Sequence, residues 1–423
     1  MGKKHLIIGT GSAALSALES LRGCNREDEV TLVTREPLMP YSPTALPFLL
    51  SERIKEADLW LRDGTFFEKL DSTLVLDKEA VKVVPDDRKV IYGDGTEDRY
   101  DTLLLATGSR PVLRDIKGLE ETGYITFHTF YDYRAIRKAL EGKGLKSKGN
   151  VVIYGGGLVA AELAIPLIEA GYGVEIVVRS RLLRSYVNPR MGARIENILK
   201  ENGAVVHQGC VVDDIAGNAD GTDITLSNGR VLHSRINILM ALGVEPAVSF
   251  LEGSGIEVNE GIVVDDHMRT SKEGIYAAGD VAEAPEFFYG KRGLSGILPS
   301  AVRQGKVAGV NMGGGDAAYP GWIPMNMFNF FGHVVFSVGL SSEDEVQVIE
   351  DVDSQKGQCK ELCFQEEKLV GARFLDVKAD PGVFLYLIEN RVNVEQYKDL
   401  LLEKPRETSR WLMLEAEKEQ SRV

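Results

Sequence analysis

His5-Leu6-Ile7-Ile8-Gly9-Thr10-Gly11-Ser12-Ala13-Ala14 and Asn150-Val151-Val152-Ile153-Tyr154-Gly155-Gly156-Gly157-Leu158-Val159-Ala160-Ala161-Glu162 share one layout: a short apolar run, a glycine turn, then a series of small residues. The apolar runs read as buried parallel strands and the small-residue series as helices, so each stretch opens a βαβ unit. In Gly9-x-Gly11-x-x-Ala14 and Gly155-x-Gly157-x-x-Ala160 the first glycine permits a tight turn. The second lets backbone N–H groups approach a pyrophosphate at a helix N-terminus, and the alanine allows close helix–strand packing. The first helix is expected from Ala13 to Leu21, and Ser12 and, in the second copy, Leu158 and Val159 are candidate cofactor contacts. Second strands are expected at Val30–Val33 and Val174–Val178. A hairpin follows each, at Ala80–Val84 with Lys89–Tyr92 and around Ser227-Asn228-Gly229. Each copy closes on an apolar strand running into glycine, Thr102–Ala106 into Thr107-Gly108 and Ile238–Leu242 into Gly243. Such a repeat predicts two related nucleotide-binding domains.

Outward from these units, Gly274-Ile275-Tyr276-Ala277-Ala278-Gly279-Asp280 returns to an apolar strand, and a helix is expected from Pro299 to Val310. Residues 37–47 hold four prolines and read as irregular loop. After residue 320 the character changes. Strands are expected at Val334–Gly339, Cys359–Phe364 and Val370–Leu375, and helices at Gly382–Asn390 and Val394–Leu402, with a charge-rich arm from Glu403. The predicted class is α/β: a discontinuous domain over 1–115 and 245–320, a second Rossmann-like domain inserted at 116–244, and an α+β domain at 321–423. Phe328, Phe330 and Phe331 read as core of that last domain, with a docking surface as the alternative.

The chain has 423 residues, room for about three domains. A formal charge of −14 argues against a general attraction for nucleic acid or anionic lipid. No stretch approaches the ~20 apolar residues of a membrane span. Met1-Gly2-Lys3-Lys4 and the apolar run behind it read as a first strand rather than a signal peptide, because glycines interrupt the run at once. Four cysteines make no disulfide framework, and buried thiols are the plain reading of Cys359 and Cys363. No metal site is expected, and the expected location is the cytoplasm.

The residues that carry chemistry lie at the ends of these strands. Glu36 is the candidate for ribose hydroxyls after the first unit's second strand, although Arg35 holds the place where an acid is expected. Glu162 falls one turn inside the second helix, where a bound nucleotide reaches its chemistry. Arg179 and Arg181, with Arg184 beyond, follow the other second strand; arginine there can accept a 2′-phosphate, which leans toward NADPH.

The ordered set Gly9-Thr10-Gly11, Ala106-Thr107-Gly108, Gly155–Glu162 and Tyr276-Ala277-Ala278-Gly279-Asp280 resembles the FAD- and NAD(P)-dependent pyridine nucleotide–disulfide oxidoreductase superfamily over residues 4–315. The resemblance implies FAD held by the first unit, with Ala106, Thr107 and Gly108 at the domain edge, Gly279 and Asp280 at the ribityl chain, and Val81 at the adenine. It implies NAD(H), with NADP(H) kept open, at Gly155, Gly157, Leu158, Val159, Glu162, Arg179, Arg181 and Gly243. Pro299 would start a helix whose N-terminus favours negative charge on the flavin. Residues 37–60 contain no cysteine, so the thiol relay of the disulfide reductases is missing. The last domain, with Cys363-Phe364 and Lys368-Leu369-Val370-Gly371-Ala372, is similar to that of NADH:rubredoxin and nitrite-reductase-like flavoproteins, which usually carry Lys or Arg where Pro43 stands here. Length and domain content also resemble the FAD subunits of aldehyde and phenylglyoxylate oxidoreductases. The expected function is therefore an oxidoreductase subunit exchanging hydride with NAD(H) and electrons with an iron–sulfur partner. A stand-alone NAD(P)H oxidase or reductase and a scaffolding flavoprotein are the alternatives.

Overall fold

The computed structural model describes residues 2–141, 149–341, 344–353 and 355–421, so Met1 and the final two residues lie outside it. The chain divides into two compact units. The first comprises residues up to Val112, His128–Phe130 and Val244–Trp322; the second comprises Leu113–Phe127, Tyr131–Gly243 and the chain from Ile323 onward.

The first unit is built on a five-stranded parallel sheet in the order Ile275–Ala277, Thr102–Leu105, Lys4–Ile8, Glu29–Val33, Thr73–Val75. Its central strand pairs on both sides, His5 opposite Val30 and Thr102, and is buried on both faces, hence the unbroken Leu6-Ile7-Ile8. Helix Ser12–Cys24 crosses over to Glu29–Val33 and packs against helix Leu298–Met312. That contact is backbone to backbone: a Cβ on Gly305 would strike the carbonyl of Ala13, and one on Gly309 that of Ala17. The small residues in the two stretches exist for this approach. Residues 37–47 are more ordered than the loop read from their prolines. Pro43–Ala45 forms a single 3-10 turn and leads into a short helix, Leu46–Leu50; proline at a first turn costs a helix nothing.

In the second unit a parallel sheet runs Ala204–Gln208, Gly173–Val178, Asn150–Tyr154, Ile238–Met240, Tyr124–Thr126. Helix Leu158–Glu169 follows the glycine turn, and helix Pro189–Glu201 precedes the edge strand. An antiparallel sheet then runs Met325–Phe330, His333–Gly339, Lys368–Leu375, Gln358–Gln365, Gln347–Asp353. Phe328 and Phe330 are buried with ring centroids 4.9 Å apart, while Phe331 takes the left-handed turn at φ 48°. The expected arm from Glu403 is instead helix Pro405–Gln420, held by buried Thr408, Ser409 and Leu412. Among the described residues no helix is long and apolar enough to cross a membrane.

Candidate functional site

In the first unit, Gly9 stands at φ +113° and donates its N–H to Val33 O at 2.8 Å. A Cβ there would be driven into the carbonyl of Ala106, so the turn passes the neighbouring strand end only as glycine. Beyond it the space opens: a Cβ on Gly11 would meet nothing within 4 Å. Gly11 caps helix Ser12–Cys24 without a side-chain hydrogen bond, which leaves the first N–H groups lacking intrahelical acceptors. The macrodipole places about half a positive charge at that end.

The same unit holds buried polar atoms without partners among the described residues. Oε2 of Glu36 is buried with no hydrogen-bond partner among the described residues, while Arg35 beside it is exposed. Gln304 is fully buried; its Oε1 accepts the Gly279 N–H at 2.8 Å, but its Nε2 has no partner among the described residues. Burial pushes the Asp280 carboxyl above the usual range, and the Ser109 hydroxyl donates to its Oδ2 at 3.1 Å. His128 Nε2 lies 3.0 Å from the Ser109 carbonyl oxygen. Thr107 Oγ1 donates to Ala247 O at 3.0 Å, and Gly108 is left-handed at φ 68°. Ala106 borders the Gly9 turn, and Ala14 is buried in the helix beyond it. Pro299 lies in the first turn of its helix, whose cap Ile297 offers no side-chain acceptor. Val81, 44% exposed, sits on strand Ala80–Val84. Unpaired buried donors and acceptors are costly unless a ligand completes them. An open helix N-terminus, an acceptor for ribose hydroxyls, and a buried carboxyl and amide together fit a bound dinucleotide.

The second unit repeats the construction. Gly155 is at φ +144°, and a Cβ on it would strike the Ala241 carbonyl; Gly157 faces open space and caps its helix without a side-chain bond. Leu158 and the half-exposed Val159 form the first turn. Burial pushes the Glu162 carboxyl up to about 7. Burial, and then the Glu162 charge, raise the Tyr186 hydroxyl. Gly243, at φ +102°, also has nothing within 4 Å of a built Cβ. Arg179 is exposed at the strand end. Arg181 is turned back on its own loop, donating to Val187 O at 2.8 Å and Arg184 O at 3.2 Å.

Gln304, Ser109, His128 and Tyr186 were not singled out from sequence. Gln304 carried a signal, as the one polar side chain among Ala301, Gly305 and Ala308 on the small-residue face; the other three carried none. All four cysteines are free: Cys24 is exposed, and Cys210, Cys359 and Cys363 are buried. Burial raises Cys359 and pushes Cys363 up to about 12. Asp265, Asp266 and His267 cluster closely enough to share an ion. His267, however, is already bonded to Asp266 at 2.7 Å, and Asp265 to the N–H groups of His267 and Arg269.

Comparison with known proteins follows the same division. Residues 3–305 match the family model described as pyridine nucleotide-disulphide oxidoreductase, and residues 324–391 match that of the rubredoxin NAD+ reductase C-terminal domain. The chain is 35% identical over 416 residues to the NADH-dependent phenylglyoxylate dehydrogenase subunit epsilon of Aromatoleum evansii, covering 97% of each chain. It is 31% identical over 324 residues to an NADH oxidase of Methanocaldococcus jannaschii, covering 75% of this chain and 71% of the other. Its fold matches the crystal structure of the covalent putidaredoxin reductase–putidaredoxin complex at a TM-score of 0.88, with 22% identity and coverage of 98% and 99%.

Proposed function

The chain belongs to the pyridine nucleotide-disulphide oxidoreductase family, and from that membership we infer that it is an FAD-dependent oxidoreductase subunit. It exchanges hydride with NAD(H) and passes electrons to or from an iron–sulfur partner, in a complex such as a 2-oxoacid or aldehyde oxidoreductase. The observation that carries the reading is the orphaned Glu36 oxygen, three residues past Val33, whose carbonyl accepts the Gly9 N–H of the glycine turn. The match of residues 324–391 to a rubredoxin reductase domain and the likeness to a named subunit over 97% of both chains support the partner. Residues 1–115 and 245–320 are assigned to FAD, 116–244 to NAD(H), and 321–423 to interfaces, with the cytoplasm as location.

When bound, FAD supplies two-electron exchange with nicotinamide and one-electron exchange with an iron–sulfur centre. The helix N-termini at Gly11–Ser12 and Gly157–Leu158 hold the phosphates. Glu36 accepts from ribose hydroxyls, while Asp280 and the Gln304 amide hold the ribityl chain. Glu162 holds or releases a proton near neutrality beside the nicotinamide end. Cys359 and Cys363 supply no thiolate, since burial keeps both protonated. Arg181, committed to its own loop's carbonyls, supports NAD(H) over NADP(H).

Anaerobic stopped-flow of the purified protein tests this reading. NADH should bleach the flavin rapidly and NADPH slowly, and oxygen turnover without a partner should be slow. Glu36→Ala should weaken FAD retention by about 10–100-fold, the loss of one or two hydrogen bonds to a carboxylate. Bound flavin that neither nucleotide reduces would remove the assignment. Fast unaided oxygen turnover would turn it to a stand-alone oxidase.

A further inference from the structure

The second unit contains a buried ion pair that no step above uses. Glu361 and Arg373 face each other across adjacent strands of the antiparallel sheet, with Arg373 Nη1 donating to Glu361 Oε1 at 2.8 Å and both side chains almost wholly buried. A pair so deeply desolvated is weak support for stability, because apolar residues of similar volume do as well. Beside local contacts with Cys363, its other hydrogen bonds lead outward. Arg373 Nη1 also donates to Leu340 O at 2.8 Å, and its Nε to the carbonyl of Tyr186 at 3.3 Å. Glu361 Oε2 accepts from Asn188 Nδ2 at 2.6 Å, and Asn188 Oδ1 in turn caps helix Pro189–Glu201 through the Met191 N–H at 2.8 Å.

Tyr186 and Asn188 end the loop that begins at Arg179. The middle of that loop is tied to the glycine turn, since Leu183, left-handed at φ 53°, donates its N–H to Gly156 O at 2.7 Å. Arg181 bonds to Val187 and Arg184 within it. The loop is therefore held at one side by the glycine turn and at the other by the ion pair of the antiparallel sheet.

We propose that Glu361 and Arg373 are positioning residues for nicotinamide nucleotide binding, gripping loop 179–188 through Asn188 and the Tyr186 carbonyl. The proposal rests on the reading of this unit as the NAD(H) site. The antiparallel sheet then sets where Arg179, Arg181 and Tyr186 stand when the nucleotide arrives, and affinity is lost when the grip is released even though no gripping residue touches the ligand.

Asn188→Ser tests it on the FAD-loaded protein, because serine keeps an N-cap acceptor but is too short to reach Glu361. Expected are an unchanged flavin content and spectrum, a KM for NADH raised about tenfold, as for loss of the Asn188 amide's bonds to Glu361 and, at 3.3 Å, to Glu350, and kcat within about twofold of wild type. The rise in melting temperature that saturating NAD+ gives wild type should shrink in parallel. Arg181→Ala on that background should add less than it does alone, since both act through one loop. Glu361→Leu with Arg373→Met, which removes both charges together, should reproduce the KM effect in a folded protein. A lowered melting temperature with wild-type KM and a wild-type NAD+ shift would show a purely structural pair and overturn the proposal. Wild type that neither reacts with NADH nor shifts with NAD+ would instead overturn the reading beneath it.

Discussion

Glu162 stands one turn into helix Leu158–Glu169, and burial lifts its carboxyl from 4.5 to about 7. Between those values the folded chain keeps a proton that the unfolded chain has released. Stability is therefore greatest below about 4.5 and falls as pH rises to about 7. The linkage is at most ~3 kcal/mol, and about 2 once the carboxyl's partial exposure is allowed for. Glu162→Gln, which mimics the protonated form, should match wild type in urea unfolding at pH 4 and exceed it by about 2 kcal/mol at pH 8. Parallel pH profiles for the two would show that this carboxyl is not buried as described. The place of Glu162 was legible from its distance to the glycine turn; its proton was not, because the burial comes from surrounding chain including the Tyr186 loop. Glu36 is the same case: its position after a strand was legible, its unpartnered oxygen was not.

At the scale of elements, helices Ser12–Cys24 and Leu298–Met312 show why small residues recur beside the glycine turns. Gly305→Ala would gain up to about 1 kcal/mol of helix propensity. The added methyl would meet the Ala13 carbonyl, a backbone atom that cannot swing away, and overpacking costs about 1–3 kcal/mol. The clash should win, giving a net loss of up to about 2 kcal/mol in denaturant unfolding and, under the proposed FAD assignment, weaker FAD retention, because the displaced helix follows the Gly9–Gly11 turn. An unchanged or higher stability would mean the two helices are not in backbone contact. The strands and first helices were legible because their apolar and glycine periodicity is continuous. Helix Pro405–Gln420 was not: it buries only Pro405, Thr408, Ser409 and Leu412 among many charges, too narrow a stripe to separate from an arm by pattern.

At the scale of the molecule, the proposed assignment gives the two units different ligands. Stripping FAD should lower the first unit's unfolding transition in calorimetry by about 4 kcal/mol where FAD stood at a thousandfold over its Kd, and NAD+ should raise only the second. A single transition that moves with both ligands would show one cooperative block instead. By itself the sequence determined the two Rossmann-like repeats, the glycine turns and the absence of a cysteine pair near the first turn, because each is a local constraint written in residue type and spacing. Only the tertiary structure decided that, among the described residues, Glu36 Oε2 and Gln304 Nε2 lack partners, that burial raises the Glu162 carboxyl, and that Glu361 and Arg373 reach loop 179–188. Those properties depend on which distant segments displace water or supply a hydrogen bond, and no stretch of sequence contains its own surroundings.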